Sequence, residues 1–196
     1  PSPKKGTVLF FHGNMKNVEY YAQYPAMFTK KGYEVWMIDY PGFGKTTGSR
    51  TELLMYSDAV LMYEKATAAG DSNIVIYGKS IGTGVAAYLA SVRNSRQLIL
   101  ETPYYSIDAL AKNYFPVYPV APMTKYSFPI YQYLEKVEAP ITIFHGTEDG
   151  VVPYKQSLRL KREKESIDLI TIENGAHNNL ARYKIFQDQL QLLLRY

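Results

Sequence analysis

The segment Gly78-Lys-Ser80-Ile-Gly82 holds a serine between two glycines, a spacing typical of nucleophilic serines. The β-branched run 74–77 before it predicts a strand, and the small and apolar residues 82–90 after it predict a buried helix. Strand, sharp turn and helix together form a nucleophile elbow, in which a strained serine exposes its hydroxyl. We expect side chains larger than glycine at positions 78 and 82 to collide with the neighbouring strand and helix. Ser80 is therefore the predicted nucleophile.

An acid and a base stand later in the chain, each directly after a predicted strand. The segment His145-Gly-Thr-Glu-Asp149 follows the fifth strand, and Gly175-Ala-His177 follows the sixth. The order serine, aspartate, histidine is the one that this motif requires. A neutral His177 would accept the Ser80 proton during attack, and Asp149 would orient and stabilise the resulting imidazolium.

Other acids and histidines compete for these roles. Glu101, at the end of the fourth predicted strand, is the main rival acid, and Asp149 could instead be an ordinary turn residue. We favour Asp149 because it lies in a loop at the correct edge of the sheet. His12 and His145 adjoin buried strands, and we interpret both as structural histidines.

A second loop supplies candidate donors for a developing oxyanion. His12-Gly-Asn14 directly follows the first predicted strand, where Gly13 allows a tight turn. We predict that the N–H groups of Asn14 and Ile81 form the oxyanion hole.

Six predicted strands must position these residues, and they alternate with helices. The strands are predicted at 7–11, 33–38, 74–77, 97–100, 141–144 and 167–172. This alternation predicts an α/β fold: a doubly wound, mostly parallel sheet of about six strands with helices on both faces. Active sites of such sheets lie beyond the carboxyl ends of the strands.

The helices are predicted from apolar periodicity. One helix is expected over 17–31, and one begins at a Thr51 cap and ends at Gly70, with Leu54, Val60, Leu61 and Tyr63 facing inward. Further helices are expected over 154–164 and 182–194.

Composition excludes several classes of function. The 196 residues, 46% hydrophobic and 20% charged, suit one globular domain over 1–196. The absence of cysteine excludes disulfides, a thiolate nucleophile and cysteine-based metal sites. No metal or cofactor is predicted. The net charge of +4 is scattered along the chain, which argues against a nucleic-acid partner.

The start of the chain bears on targeting segments and on a possible missing N-terminal segment. There is no signal peptide and no run of about 18 apolar residues. The chain begins at Pro1 without methionine and enters a strand almost at once. We expect a fragment whose missing N-terminal segment could carry extra strands or a membrane contact. Cytoplasmic and membrane-associated locations are both open, as is the oligomeric state.

Taken together, the motifs resemble the α/β-hydrolase superfamily. The resemblance rests on five segments in the correct order: His12-Gly-Asn14, Asp39-Tyr-Pro-Gly-Phe-Gly44, Gly78-Lys-Ser-Ile-Gly82, His145-Gly-Thr-Glu-Asp149 and Gly175-Ala-His177-Asn-Asn-Leu180. It is strongest to serine hydrolases related to the bud-emergence protein and the ABHD-type depalmitoylases. The resemblance implies hydrolysis of carboxylic esters or thioesters of a small-molecule or acylated substrate. It also implies an N-terminal hairpin that this sequence lacks.

Residues 102–138 interrupt the alternation and resemble the short cap inserted between strands in this fold. The segment is rich in tyrosine and contains five prolines from Pro103 to Pro129. We predict that it contacts substrate through Tyr104, Tyr105, Tyr114 and Phe115. An aromatic packing segment would have the same composition.

Three functions other than an esterase would share parts of these motifs or of this fold. Gly78-Lys-Ser80 and Gly44-Lys-Thr46 imitate the end of a phosphate-binding loop, but Asn73 and Asp39 stand where that loop needs its first glycine. A peptidase acting on N-terminal residues would use the same triad. A binding protein without activity could share the fold.

Overall fold

The computed structural model describes residues 4–14, 18–40, 42, 51–115 and 126–195. Its centre is a six-stranded sheet in which every pair of neighbouring strands is parallel. The strands are β1 Gly6–Phe11, β2 Tyr33–Met37, β3 Ile74–Lys79, β4 Gln97–Glu101, β5 Ile141–Gly146 and β6 Asp168–Ile172. They lie in the order β2-β1-β3-β4-β5-β6. The predicted doubly wound parallel sheet is confirmed.

Eight α-helices accompany the strands in the described ranges. They are α1 Val18–Tyr21, α2 Pro25–Thr29, α3 Glu52–Ala68, α4 Gly82–Val92, α5 Ile107–Tyr114, α6 Ile130–Glu135, α7 Lys155–Glu163 and α8 Lys184–Leu193. The Thr51 side chain accepts a hydrogen bond from Leu54 N–H at 3.2 Å, which confirms the predicted cap of α3. None of these helices is long and apolar enough to span a bilayer.

The two faces of the sheet bury separate apolar clusters, because successive side chains of a strand point to opposite faces. In β1, Leu9 and Phe11 join the cluster that contains residues of α3, α4 and α6. Val8 and Phe10 join the opposite cluster, which contains residues of α2 and α8. The strands are therefore buried on both sides, as their continuous apolar sequences indicate.

The single helix predicted over 17–31 is wrong. Two short helices, α1 and α2, occupy this stretch, and Pro25 is at the start of the second. Proline has no N–H to donate and its ring collides with the preceding turn, so a continuous helix through position 25 is excluded.

The predicted inward face of α3 is also partly wrong. Leu54 and Leu61 are 41% and 53% exposed, whereas the buried side chains of the helix are Met55, Tyr56, Ala59, Met62 and Ala66. Val60 and Tyr63 pack partly against the core. Apolar residues occur around much of this helix, so spacing alone did not identify the face that the sheet covers.

The C-terminal helix begins two residues later than predicted. Leu180–Arg182 forms a separate 3-10 turn, and α8 starts at Lys184. Phe186 and Leu190 are buried, and Tyr183 and Leu193 pack partly against the same cluster.

Within 102–138 the structure describes two helices, α5 and α6, and Ile130 and Leu134 of α6 belong to the core. Residues 116–125 lie outside the described ranges, as do 41 and 43–50 of the loop that follows β2. The cap-like role of 102–138 remains a prediction.

Candidate active site

Ser80 lies between β3 and α4 with a backbone φ of 51°, in the left-handed region that a non-glycine residue rarely adopts. A Cβ atom on Gly82 would come within 2.2 Å of the Phe11 carbonyl oxygen. A Cβ atom on Gly78 would come within 2.7 Å of both Ala86 Cβ and the Gly82 oxygen. Both contacts are prohibitively short, so the predicted steric need for the two glycines is confirmed.

The side chains of Ser80, His177 and Asp149 form one chain of hydrogen bonds. His177 Nε2 lies 3.0 Å from Ser80 Oγ, and His177 Nδ1 lies 2.7 Å from Asp149 Oδ2. The three residues follow β3, β6 and β5, so the carboxyl ends of three parallel strands bring them together. This geometry allows His177 to take a proton from the serine hydroxyl.

Four N–H-bearing groups contact the Asp149 carboxylate. Oδ1 accepts hydrogen bonds from the N–H groups of Val151 and Val152, both at 2.8 Å, and Oδ2 lies 3.3 Å from His145 Nε2 in addition to its bond with His177. Burial alone would raise the pKa of Asp149. The hydrogen bonds from His145 and His177 and the charge of His177 lower this pKa below its ordinary value of 3.8. Asp149 is therefore ionised at neutral pH.

His145 and His12 are both fully buried. His145 Nε2 lies 2.8 Å from the Val152 carbonyl oxygen and therefore carries a proton, while Nδ1 lies 2.6 Å from Ser157 Oγ. His12 Nδ1 lies 2.8 Å from the Gly13 carbonyl oxygen. Burial lowers the pKa of His12, although Gly13 and the Asp39 charge oppose the shift. These contacts agree with the structural roles expected of both histidines.

Glu101, the rival acid, is bound elsewhere. Its Oε1 lies 2.5 Å from the Lys79 ammonium, and its Oε2 accepts a very short hydrogen bond from the Tyr77 hydroxyl. In the described part of the chain, the carboxylate that contacts the His177 imidazole is that of Asp149.

The loop after β1 lies beside the serine. A Cβ atom on Gly13 would be 3.5 Å from Ser80 Cβ and 2.6 Å from the Tyr21 hydroxyl oxygen, so a larger residue there would require the Tyr21 side chain to shift. Among the hydrogen bonds of the described residues, none uses the N–H of Asn14 or of Ile81 as its donor. Their role as the oxyanion hole stays a prediction.

The four aromatic residues predicted to contact substrate lie in different surroundings. Tyr104 is 1% exposed, and its hydroxyl donates to the Ile81 carbonyl oxygen at 3.2 Å. Tyr105 stacks on Tyr131 with ring centroids 4.3 Å apart. Tyr114 donates to the Gly150 oxygen at 3.0 Å and to the next carbonyl oxygen at 2.7 Å, and Phe115 is 57% exposed. The structure therefore does not gather them into one wall, and their contact with substrate stays a prediction.

Two surface cavities lie away from the hydrogen-bonded triad. One of about 610 Å³ lies between α5 and α7, with Tyr105 and Arg159 in its lining, and one of about 490 Å³ lies between β2 and α3. Neither is lined by Ser80, His177 or Asp149. No cluster of three acidic or histidine side chains suited to a metal ion occurs within the described ranges.

Sequence reasoning missed Lys79, the residue directly before the nucleophile. Its side chain is only 2% exposed, and its ammonium bonds both Glu101 and the carbonyl oxygen of His177. One signal could have identified it: a lysine that ends a continuously buried strand needs a partner, and Glu101 ends the adjacent strand.

Comparison with known proteins agrees with this architecture. Residues 2–126 match the family model described as "Serine aminopeptidase, S33". The human alpha/beta hydrolase domain-containing protein 17B is 29% identical over 95% of this chain and 65% of its own length. The Xenopus tropicalis protein 17C is 28% identical over 97% and 62%. The chain thus spans less than two thirds of these relatives.

Solved structures show the same fold. An esterase of Pyrococcus furiosus superposes with a TM-score of 0.76 at 19% identity, covering 98% of this chain and 83% of its own. Est1E of Butyrivibrio proteoclasticus, solved with ferulic acid, has a TM-score of 0.76 at 17% identity, covering 98% and 87%. With the sheet order, the serine elbow and the matched family model, these findings show that the chain belongs to the α/β-hydrolase superfamily, within the hydrolase family described as serine aminopeptidase S33.

Proposed function

We propose that this protein is a serine hydrolase that cleaves carboxylic ester or thioester bonds through an acyl-enzyme on Ser80. The observation that carries the proposal is the continuous hydrogen-bond chain from Ser80 Oγ through His177 to Asp149, at 3.0 and 2.7 Å. The Pyrococcus furiosus esterase, which shares the fold, supports an ester as the substrate.

Attack begins at the serine hydroxyl, which is a weak nucleophile until its proton is removed. As Ser80 Oγ bonds to the substrate carbonyl carbon, the proton passes to His177 Nε2. The carbonyl oxygen becomes an oxyanion, and the N–H groups of Asn14 and Ile81 stabilise it. Collapse of this intermediate expels the alcohol or thiol, which takes the proton from His177, and leaves the acyl group on Ser80.

Deacylation repeats the sequence with water. His177 takes a proton from the water as the oxygen attacks the acyl carbon, then returns that proton to Ser80 as the carboxylic acid leaves. Asp149 stays ionised throughout. Its hydrogen bond to Nδ1 keeps the Nε2 lone pair directed at Ser80 and stabilises the imidazolium.

Hydrolysis of a short-chain p-nitrophenyl ester tests the proposal. We expect activity in the natural chain and a loss of about 10⁴- to 10⁶-fold in kcat on Ser80→Ala. A fluorophosphonate probe should label Ser80, as located by peptide mass. Equal rates for the two proteins, or labelling at another residue, would refute the assignment.

The family description makes peptidase activity the second candidate. Aminoacyl p-nitroanilides, assayed beside oxygen esters and thioesters of increasing acyl length, separate the two. Faster turnover of the anilides would replace the esterase proposal by the peptidase. If no substrate is hydrolysed and the fluorophosphonate probe does not label Ser80, a binding protein without activity would be favoured.

A further inference from the structure

A lysine is fully buried directly beneath the proposed catalytic centre. Lys79 ends β3 and is 1% exposed. Its ammonium lies 2.5 Å from Glu101 Oε1, 3.0 Å from the His177 carbonyl oxygen and 5.6 Å from the centroid of the Tyr24 ring. A buried ammonium is costly unless it is paired and hydrogen-bonded, and here both conditions are met.

The carboxylate partner is tied to the same edge of the sheet. Glu101 pairs with Lys79 in the parallel register of β3 and β4, and its backbone oxygen accepts from Ser80 N–H at 2.9 Å. Burial, together with the charge and hydrogen bond of Glu101, raises the pKa of Tyr77 well above its ordinary value. The Tyr77 phenol therefore stays protonated and donates to Glu101.

The third contact of Lys79 reaches a distant part of the chain. His177 lies in the loop after β6, and β4 and β5 separate that strand from β3. Near His177, Ala176 N–H donates to Asn179 Oδ1 at 2.8 Å within the same loop, and Glu148 N–H of the loop after β5 donates to the Gly175 oxygen at 2.9 Å. Among the described residues, Lys79 provides the hydrogen bond that joins the His177 backbone to the strand carrying the nucleophile.

We propose that Lys79 is a positioning residue that holds the His177 backbone at the distance from Ser80 that proton transfer needs. This inference rests on the proposed function. Asp149 orients the imidazole ring from its Nδ1 side, and Lys79 anchors the backbone from which the ring extends. Together they restrain the base at both ends.

The energetics of buried ion pairs favour a positional role over a merely stabilising one. A buried lysine–carboxylate pair contributes little net stability, because desolvation offsets its attraction, and apolar residues often replace such pairs without loss. The geometry of the ammonium, by contrast, cannot be reproduced by an apolar side chain. Displacement of a catalytic group by about 1 Å can reduce the rate by about 10²-fold.

The test must avoid leaving Glu101 as an unpaired buried charge. We compare the double variant Lys79→Met/Glu101→Gln, which removes both buried charges together, with the wild-type protein. The amide oxygen of Gln can still accept from Tyr77, so the double variant leaves no buried charge unpaired. Tyr77→Phe is the matched control, since it breaks the same network without touching His177.

The expected result is a loss of about 30- to 100-fold in kcat for the double variant relative to the wild-type protein, with little change in KM. The rate of fluorophosphonate labelling at Ser80 should fall in parallel. The low-field ¹H NMR signal of the proton between His177 and Asp149 should broaden or exchange faster with water. Tyr77→Phe should lower the melting temperature while keeping most of kcat and this signal.

An unchanged kcat and NMR signal in the double variant, with only a lower melting temperature, would overturn the positioning role. If the double variant does not fold, Lys79→Gln in the Glu101→Gln background replaces it. Glutamine is one bond shorter than lysine and cannot span both acceptors, so the same criteria apply. Activity that does not depend on Ser80 would overturn both proposals, whereas Ser80-dependent activity indifferent to Lys79 would overturn this one alone.

Discussion

The substitution Asp149→Asn changes one atom and should nearly abolish turnover. In the wild-type protein, Oδ1 accepts from two backbone N–H groups at 2.8 Å, and Oδ2 faces His177 Nδ1 at 2.7 Å. The amide oxygen of Asn would keep the two backbone donors, which places the amide NH₂ opposite His177. Nδ1 must then accept a hydrogen bond, so the imidazole proton moves to Nε2. That nitrogen points at Ser80 and can no longer take its proton.

The size of the loss follows from this change of tautomer. We expect kcat to fall by about 10⁴-fold, equivalent to roughly 5.5 kcal/mol of transition-state stabilisation. The matched control is Glu101→Gln, the same chemical change in another buried carboxylate at the end of a strand. Because Glu101 does not contact the imidazole, its variant should lose less than about tenfold.

The assay is steady-state hydrolysis of a short-chain p-nitrophenyl ester, with circular dichroism showing that both variants are folded. Turnover of Asp149→Asn within tenfold of the wild-type protein would refute the tautomer argument. An equal or larger loss in Glu101→Gln would exchange the roles of the two acids.

The same carboxylate predicts a pH dependence of stability. The lowered pKa of Asp149 means that the folded protein holds this proton more weakly than the unfolded chain, in which the group titrates near 3.8. Its contribution is therefore complete above about pH 5 and is lost as the pH falls toward the folded-state pKa. We expect the melting temperature of the wild-type protein to fall more steeply on acidification than that of Asp149→Asn.

Two further pairs of variants test the packing that positions the site. Gly84→Ala places a Cβ atom 2.5 Å from the Tyr104 hydroxyl oxygen. The resulting overpacking costs about 1–3 kcal/mol, which should exceed the gain in helix propensity and lower the melting temperature. In Gly150→Ala the new Cβ atom meets no atom within 4 Å, so this variant should keep its melting temperature. Met62→Ala should reduce the free energy of unfolding by about 2–5 kcal/mol, because Met62 is buried. Leu61→Ala, at a 53% exposed position, should change this free energy little. Equal effects of the two substitutions would contradict the observed buried face of α3.

Much of the fold could be predicted because its signals are local. A strand buried on both faces reads as a short, continuous apolar run, and all six strands were found within one or two residues of their ends. Once the sheet is parallel, the carboxyl ends of all strands meet at one edge, so the loops that follow them are neighbours. The positions of Ser80, Asp149 and His177 at this edge followed from that rule.

The ends and buried faces of the helices were less predictable, because they depend on the residues against which each helix packs. Periodicity favoured one helix over 17–31, although the proline at position 25 divides it. Apolar residues around α3 offered more than one possible inward face, and only the sheet beneath it selects Met62 over Leu61. Tyrosine-rich composition likewise did not distinguish Tyr104, which packs in the core, from exposed Phe115.

The sequence by itself determined the parallel sheet, the elbow at Ser80 and the order of the functional loops, since each depends on residues adjacent in the chain. The tertiary structure alone decided which buried acid serves which partner. Asp149 and Glu101 both follow apolar strands, and the sequence favoured Asp149 only through its place in a loop. In the folded protein the strand register places Glu101 beside Lys79, and the loop after β5 places Asp149 beside His177. The partners in these two pairs stand 22 and 28 positions apart in the chain, and no local pattern encodes the distance between them.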